Sequence, residues 1–410
     1  MARLRPFRAL RPTVSTAERI AAVPYDVVST DEARALAAHE PLSFLHVSRA
    51  EIDLPEQTDP HADVVYERAA MNFVRLRDTA LTLEDEPSLY FYKLRTGDHV
   101  QTGLAGCFSI DEYDKDVIKK HERTRRDKED DRTRHMLALR AQTGPVFLTY
   151  VASPDVDLVA SRVMHSVPLF DFTAADGVRH TLWRVIGADA EALVAAFGSI
   201  PALYIADGHH RAASAARARN EMRERSLPTA NLGDGADFTT VLAVAFPHDQ
   251  VRILPYNRTV RDLGGLGSSR FLDRVRGAFS VSPGPAMPQR GGDIAMYFER
   301  QWHTLRPLHG SNGTDAIGRL DVTMLQERLL APILQITDVR TDPRIEFVGG
   351  ARGTAALEAA VDRGPAVVAF SLFPVSVSDL IAVSDSGAIM PPKSTWFEPK
   401  LRDGLLTHLI

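Results

Sequence analysis

The sequence predicts an α+β fold, with a mixed α/β order of elements, and three observations carry the expectation. Strand-like and helix-like stretches alternate along the chain with few long unstructured tracts. Apolar runs such as Val241-Leu-Ala-Val-Ala-Phe246 are short and read as buried strands, since a bilayer span needs about 20 residues. At 410 residues, 44% hydrophobic and 25% charged, the chain has a globular composition and is too long for one ordinary core, which suggests two or three packed units.

From the N-terminus, a Pro-rich start leads to a helix over Thr30–Ala38, opened by Ser29 or Thr30 as N-cap, and to a longer helix over Asp63–Leu81. Strands at Leu89–Lys93 and Thr102–Ile110 flank Arg95-Thr-Gly-Asp98, which has the residues of a hairpin turn. A charged block, Asp114–His135, precedes a strand at Val146–Val151 that is entered through Gly144-Pro145. A helix over Val156–Met164, a strand near Leu182–Ile186, a helix over Ala188–Phe197 and an apolar strand over Pro201–Ala206 follow. After an Ala-rich helix, a Gly/Asp-rich loop, Asn231–Asp237, leads to the strand Thr239–Phe246. Pro283–Gly292 reads as a surface excursion or loose boundary. Beyond it lie strands near Ala295–Glu299 and Thr304–Leu308, helices near Val322–Leu330 and Thr354–Asp362, and a strand at Ala366–Leu372.

The formal net charge of −5 and a pI near 6.3 give no support to a general attraction to nucleic acid or membranes. Cys107 is the only cysteine, so a disulfide framework and a cysteine-rich zinc site are excluded, and a reducing cytoplasm is the expected compartment. The first ten residues are basic but lack a long apolar stretch, so they do not read as a signal peptide.

The chemistry concentrates at Asp207-Gly208-His209-His210-Arg211, where the apolar strand hands over to the Ala-rich helix. A helix start favours anions, Gly208 lets the backbone approach a ligand, and Arg211 offers a planar fork to phosphoryl oxygens. Asp207 is suited to hold a divalent cation or take a proton. Asp-Gly also serves turn geometry alone at such junctions, with a following His as a cap. The small residues Ala212-Ala-Ser-Ala-Ala216 suit close packing of the helix on a sheet.

The block Lys119–His135 is the densest run of charge. If helical, it places His121, Arg125, Lys128, Arg132 and His135 on one cationic face. Interspersed Glu122, Glu129 and Asp131 allow a plain solvated surface; the alternative is a polyphosphate site in which Glu122 serves as base or metal ligand.

The combination of Pro24-Tyr-Asp-Val-Val-Ser29, His121-Glu-Arg-Thr124 with Lys128 and Asp131-Arg132, the Asp207–Arg211 turn and Met390-Pro-Pro-Lys-Ser-Thr-Trp-Phe-Glu-Pro-Lys400 resembles a prokaryotic family of unknown function over essentially the whole chain. The Asp-Gly-His-His-Arg segment, with its flanking strand and helix, is also similar to that of free serine kinases with the ParB/sulfiredoxin-like nucleotide-binding fold. That second resemblance implies a ParB-like core over 111–250, between an N-terminal α/β segment at 1–110 and a C-terminal α/β segment at 251–410 packing back on it. It implies Asp207 at the metal or the reacting hydroxyl, with Gly208, His209, His210 and Arg211 at the phosphates. Glu122 is the candidate for the activating Glu, and His121, Arg123, Thr124, Lys128 and Arg132 join the phosphate-binding set. There is no basic helix-turn-helix signature, so nucleic acid is not an expected partner.

Four further residues are candidates for holding substrate. Asp26 follows Pro24-Tyr25 and also suits an Asx turn. Asn257 and Arg258 follow a strand-like stretch, in a position to reach over its end. Lys393 stands after two prolines in a stretch suited to closing over phosphate, with Lys400 to assist, or to serving as an arm anchored by Trp396-Phe397. The expected activity is a nucleotide-dependent phosphotransferase using magnesium and ATP or ADP on the hydroxyl of a small metabolite, free L-serine first. The alternatives are a nucleotide-binding regulatory sensor with little turnover, or a phosphate-ester hydrolase. The sequence leaves the oligomeric state open.

Overall fold

A computed structural model describes residues 2–225, 237–309 and 316–410. Its strands, sheets and helices make the fold mixed α/β. The chain divides into a first unit, Met1–Lys120, Thr124–Val251 and Pro399–Ile410, and a second, His121–Arg123 and Arg252–Glu398. The sequence segments 1–110 and 111–250 thus fall largely in the first unit, and the last residues of 251–410 belong there too.

The first unit is built on the strand Thr240–Pro247, every residue of which is buried. A continuous apolar run marks a strand covered on both faces. It pairs in parallel with Val146–Tyr150 and antiparallel with His99–Ser109. The nine-stranded sheet runs in the order Ile118–Lys119, Leu203–Asp207, Val146–Tyr150, Thr240–Pro247, His99–Ser109, Leu89–Thr96, Arg179–Val185, Phe170–Thr173, with Leu4–Arg5 beside His99–Ser109. Thr96 pairs with His99, so Gly97-Asp98 makes the expected hairpin turn, with Gly97 at a φ of 55°. A four-stranded sheet joins Leu81–Leu83, Ala9–Pro12, Thr407–Leu409 and Ala141–Gln142.

The helix His209–Arg225 buries Ala212, Ala215, Ala216, Ala218 and Met222 in the same core as Val146, Leu148 and Ile205. Alanine favours the helix and leaves no bulk between it and its neighbours. The helix Arg126–Leu139 lies against it: Ser214 Oγ donates to Glu129 O at 3.2 Å, and Arg217 pairs with Glu129 at 3.2 Å and with Asp130. A second core gathers Ile20, Phe44, Val47, Phe73 and Leu76. Burying each such side chain contributes about 1.5–3 kcal/mol.

Several expectations need correction. The charged block is not one helix. It forms Ile110–Asp114, the short strand Ile118–Lys119 and Arg126–Leu139, with Arg125 as an extended N-cap at φ −98°, ψ 132°. Asp127 and Glu129 in the first turn favour a start there. His121 and Arg125 therefore share no helical face with Lys128, Arg132 and His135. His135 is buried, its Nε2 is 2.9 Å from Val47 O, and burial with nearby Arg132 lowers its pKa to about 4, so it is no cation at neutral pH. The Asp63 helix stops at Thr79, because Leu81 pairs with Pro12 in the small sheet.

The helix Thr30–Ala37 carries a capping box in which Ser29 and Glu32 satisfy one another's backbone N–H groups, at 3.2 and 2.8 Å. Ser29→Ala is expected to lower stability by about 1 kcal/mol, measurable by urea unfolding at neutral pH.

In the second unit, a six-stranded sheet runs Phe279–Pro283, Gln301–Pro307, Ile294–Phe298, Val368–Ser371, Tyr256–Val260, Ile345–Gly349, and Ile253–Leu254 pairs with Trp396–Phe397. The helix Gly353–Asp362 sets Leu357 against Tyr297 and Ala369. Pro283–Gly292 lies between two strands of this sheet, so it is an excursion and no boundary. The helix expected at Val322–Leu330 is α-helical over Asp321–Leu325 and continues as a wider π turn over Gln326–Leu330. Residues 231–236 of the expected Asn231–Asp237 loop lie outside the described residues. Among the described residues, no helix is long and apolar enough to cross a membrane.

Candidate functional site

The strand Leu203–Asp207 changes register against Val146–Tyr150 between Ile205 and Asp207, an irregularity that re-aims the side chains at the strand end. Gly208 then takes a φ of 93°, and Ala212 N donates to Gly208 O at 3.0 Å as the helix begins. A Cβ at position 208 would stand 3.0 Å from Arg211 Nε, so glycine is needed both for the turn and for the guanidinium beside it.

This turn presents Asp207 as a compensated carboxylate. Gly208 N donates to Oδ1 at 2.9 Å, Lys400 Nζ donates to Oδ2 at 3.0 Å, and Arg211 Nη2 stands 3.8 Å from Oδ2. Burial alone would raise its pKa, but Lys400 and Arg211, with His209 adding to them, hold it well below the usual carboxylate range. The side chain is 26% exposed, which leaves the anion reachable. Arg211 itself turns inward and donates to Pro145 O at 2.5 Å. His210 Nε2 accepts from Arg125 N at 3.1 Å, which requires the unprotonated nitrogen.

A second polar cluster lies beside Arg211. Arg132 donates to Asp131 at 2.8 Å, and its guanidinium lies 4.1 Å from the centre of the Tyr25 ring. Tyr66 also donates to Asp131 at 2.8 Å, and His61 Nδ1 is 3.3 Å away. Despite burial, Arg132 and the Tyr66 bond lower the Asp131 pKa to about 2. Arg132, Arg211, Tyr25, His135, Thr143 and Asp403 line a cavity of about 40 Å³. Asp403 is held through its backbone, which exchanges hydrogen bonds of 2.9 and 3.1 Å with Ala22. Its Oδ1 sits where a Cβ on Gly144 would come within 2.6 Å, a physical reason for Gly144 beyond entry to a strand. Burial pushes the Asp403 carboxyl up to about 7, with Asp26 adding to the rise and Arg211 and Arg132 opposing it.

A family model described as "Protein of unknown function (DUF1015)" matches residues 4–323. The chain belongs to this family. No curated protein matches it. Among solved structures, a conserved hypothetical protein from Pyrococcus furiosus is 13% identical, with 74% of this chain and 95% of that one covered and a TM-score of 0.37. A free serine kinase in complex with AMP is 13% identical, with 73% and 92% covered and a TM-score of 0.37. SbnI with a C-terminal truncation from Staphylococcus aureus is 13% identical, with 74% and 87% covered and a TM-score of 0.39.

In this family member, Asp207, Gly208, His209, His210, Arg211, Arg132, Lys128, Thr124 and Asp26 are all residues of the first unit. Thr124 Oγ1 donates to Glu129, Lys128 is half-buried, and Asp26 is exposed in the turn closed by Val27 N and Pro24 O at 3.2 Å. The second unit holds His121, Glu122, Arg123, Asn257, Arg258 and Lys393. There His121 is buried, with Nε2 3.3 Å from Thr395 Oγ1, Glu122 is half-buried and Arg123 is exposed. Asn257 accepts from Leu372 N at 3.2 Å. Arg258, 2% exposed, donates to Lys393 O at 3.0 Å and to Tyr256 O, which ties down the Pro392-Lys393 segment. Lys393 has a φ of 56° and places Nζ 5.3 Å from the Tyr256 ring centre.

Sequence reasoning passed over Asp403. One signal was available: Asp403-Gly404 repeats the Asp-Gly pair of 207–208, and Gly404 also has a positive φ, 84°. Tyr25, beside the candidate Asp26, is the surface on which Arg132 lies.

Proposed function

We propose that this protein is a nucleotide-dependent phosphotransferase that phosphorylates the hydroxyl of a small metabolite, with free L-serine the first acceptor to test. The observation that carries the reading is the Asp207 carboxylate, kept ionised by Lys400 and Arg211 at a glycine turn that opens a helix. Phosphoryl transfer asks mainly for positioned charge: cations and a helix start for the phosphates, and a carboxylate for the metal or the hydroxyl. The first unit carries Lys400, Arg211 and the opening of the His209–Arg225 helix around one carboxylate. Glu122 stays the candidate for activating the acceptor hydroxyl, and His209 and His210 keep the phosphate contacts that the motif resemblance implies.

The donor chemistry of Asp207 fits magnesium, a hard cation held by one or two carboxylates together with nucleotide phosphates and water. Asp207 would hold it, and when bound it would supply neutralisation of phosphate charge. The task of Lys400 is separate. Its ammonium sits 3.0 Å from Asp207 and is 11% exposed, and it is proposed to pass from the carboxylate to an incoming phosphate.

The test is product analysis after incubation of the full chain with ATP or ADP, magnesium and a pool of amino acids and sugars. A phosphorylated metabolite is expected. Nucleotide binding without any product would overturn the reading in favour of a sensor, and phosphate release from phosphoserine without nucleotide would overturn it in favour of a hydrolase. Glu122→Gln is expected to reduce product formation at least about a hundredfold with nucleotide affinity little changed, the scale of a positioned acid–base group.

A further inference from the structure

The cavity beside Arg211 is bordered by a buried carboxyl group, that of Asp403. Asp403 is 3% exposed, and the charges acting on its carboxyl are those of Arg211, Asp26, Arg132 and Arg402. Buried polar groups nearly always have a partner, and an unmet one costs free energy. Arg211 Nε is such a buried donor without a protein partner. Arg132 borders the same space, its guanidinium packed on Tyr25. A carboxyl group and a guanidinium edge with an unmet donor therefore border one space of about 40 Å³, a seat for the carboxylate end of a small ligand. The rest of the wall mixes apolar Met136, Val146 and Val241 with uncharged Ser48, Gln142 and Thr143, of which Ser48 Oγ and Gln142 Nε2 already donate to Phe44 O and Thr240 O.

We propose that the cavity walled by Arg132, Arg211 and Asp403 binds a short hydroxy or amino carboxylic acid, its carboxylate toward the guanidinium groups and its O–H or N–H donor on Asp403. The forked donors of arginine suit a planar carboxylate, and an ionised Asp403 suits an ammonium or a hydroxyl on the neighbouring carbon. Arg211 also stands 3.8 Å from Asp207, so one side chain borders both the acid pocket and the proposed phosphate-handling carboxylate. As the identity of the phosphoryl acceptor this inference rests on the phosphotransferase reading; as a binding site it rests on the cavity. The groups that face Asp403 are Arg211, Asp26, Arg132 and Arg402, with Tyr25 and the neutral His135 in the cavity wall.

Calorimetric titration of the full chain without nucleotide, at pH 8, with L-serine, D-glycerate and propionate tests the site. Saturable binding of L-serine and D-glycerate is expected, with propionate at least tenfold weaker because it brings no donor to Asp403. L-Serine affinity should fall between pH 8 and pH 6 as Asp403 takes up a proton. Asp403→Asn should weaken L-serine at least tenfold and remove most of that pH dependence, and Arg132→Met should weaken all three acids. Lack of saturable binding of both L-serine and D-glycerate to the wild-type chain, or an Asp403→Asn titration that matches it, overturns the inference. ATP titrated into the same samples keeps the two readings apart: nucleotide binding without acid binding sinks the pocket alone. Acid binding with no phosphorylated product in the presence of ATP and magnesium supports the pocket and sinks the phosphotransferase.

Discussion

Asp207→Asn is expected to lower turnover at saturating nucleotide at least about a hundredfold, the scale of losing a positioned carboxylate that holds charge at the reacting centre. The substitution preserves shape, and its amide oxygen can still accept from Gly208 N; what disappears is the anion between Lys400 and Arg211. A stability cost accompanies the loss, because two cations are left facing one another. It should be smaller than the about 3–5 kcal/mol of breaking a fully buried pair. The carboxylate is 26% exposed and water screens the remaining charges. The pH dependence gives the sign. The folded pKa of Asp207 is depressed, so its stabilising effect is present above the unfolded value of 3.8 and is lost as pH falls toward the folded one. The stability gap between wild type and Asp207→Asn should therefore narrow below about pH 4. Lys400→Met separates the roles, since it removes the cation and leaves the carboxylate. If Asp207 acts only as a structural counter-ion, Asp207→Asn and Lys400→Met should lose stability together and keep near-wild-type turnover, and initial rates of product formation beside urea unfolding would show it.

The sequence made the centre of the first unit readable because its signals are local. The run Val241–Phe246 read as a buried strand, and Asp207-Gly208 between an apolar run and an alanine-rich stretch read as a strand end turning into a helix; the folded chain has both. Long-range pairing was not readable. Ala9–Pro12, Ala141–Gln142 and Thr407–Leu409 are too short to show a period of two, and they become strands only because residues far apart in sequence supply their hydrogen bonds. The charged block misled for a related reason. Spacing alone allowed a helix from His121 to His135, but in the folded chain Arg125 N donates to His210, outside any helical ladder. The Lys400 contact with Asp207 spans 193 positions, and no local pattern encodes such a pairing. Asp403 was hidden in the same way: its neighbours in sequence say turn, whereas its neighbours in space, Arg211, Asp26 and Arg132, make it a titrating group in a cavity.

Asp403→Asn is expected to stabilise the protein at pH 8 and to change it little near pH 4. Burial raises the Asp403 pKa from 3.8 to about 7, so the folded state keeps a proton that the unfolded chain releases. The unfolded state therefore binds fewer protons across that window, and stability falls as pH rises through it, with the full deficit present above about pH 7. A rise of that size corresponds to about 4 kcal/mol, an upper value because Arg211 and Arg132 can reorganise around the charge. Asparagine is nearly isosteric and does not ionise, so it escapes the deficit. Urea unfolding at pH 4.5 and pH 8 measures the difference directly: the variant should gain at pH 8 and gain much less at pH 4.5. A variant less stable than wild type at pH 8 would mean that the Asp403 anion is a net asset to Arg211 and Arg132, and so a structural counter-ion. A stabilising loss of a charge is instead the mark of a group kept at thermodynamic cost for something that binds it, since function is where folds retain unfavourable ionisation. The same substitution should therefore gain stability and lose affinity for a short hydroxy or amino acid, a pairing that a purely architectural role for Asp403 does not produce.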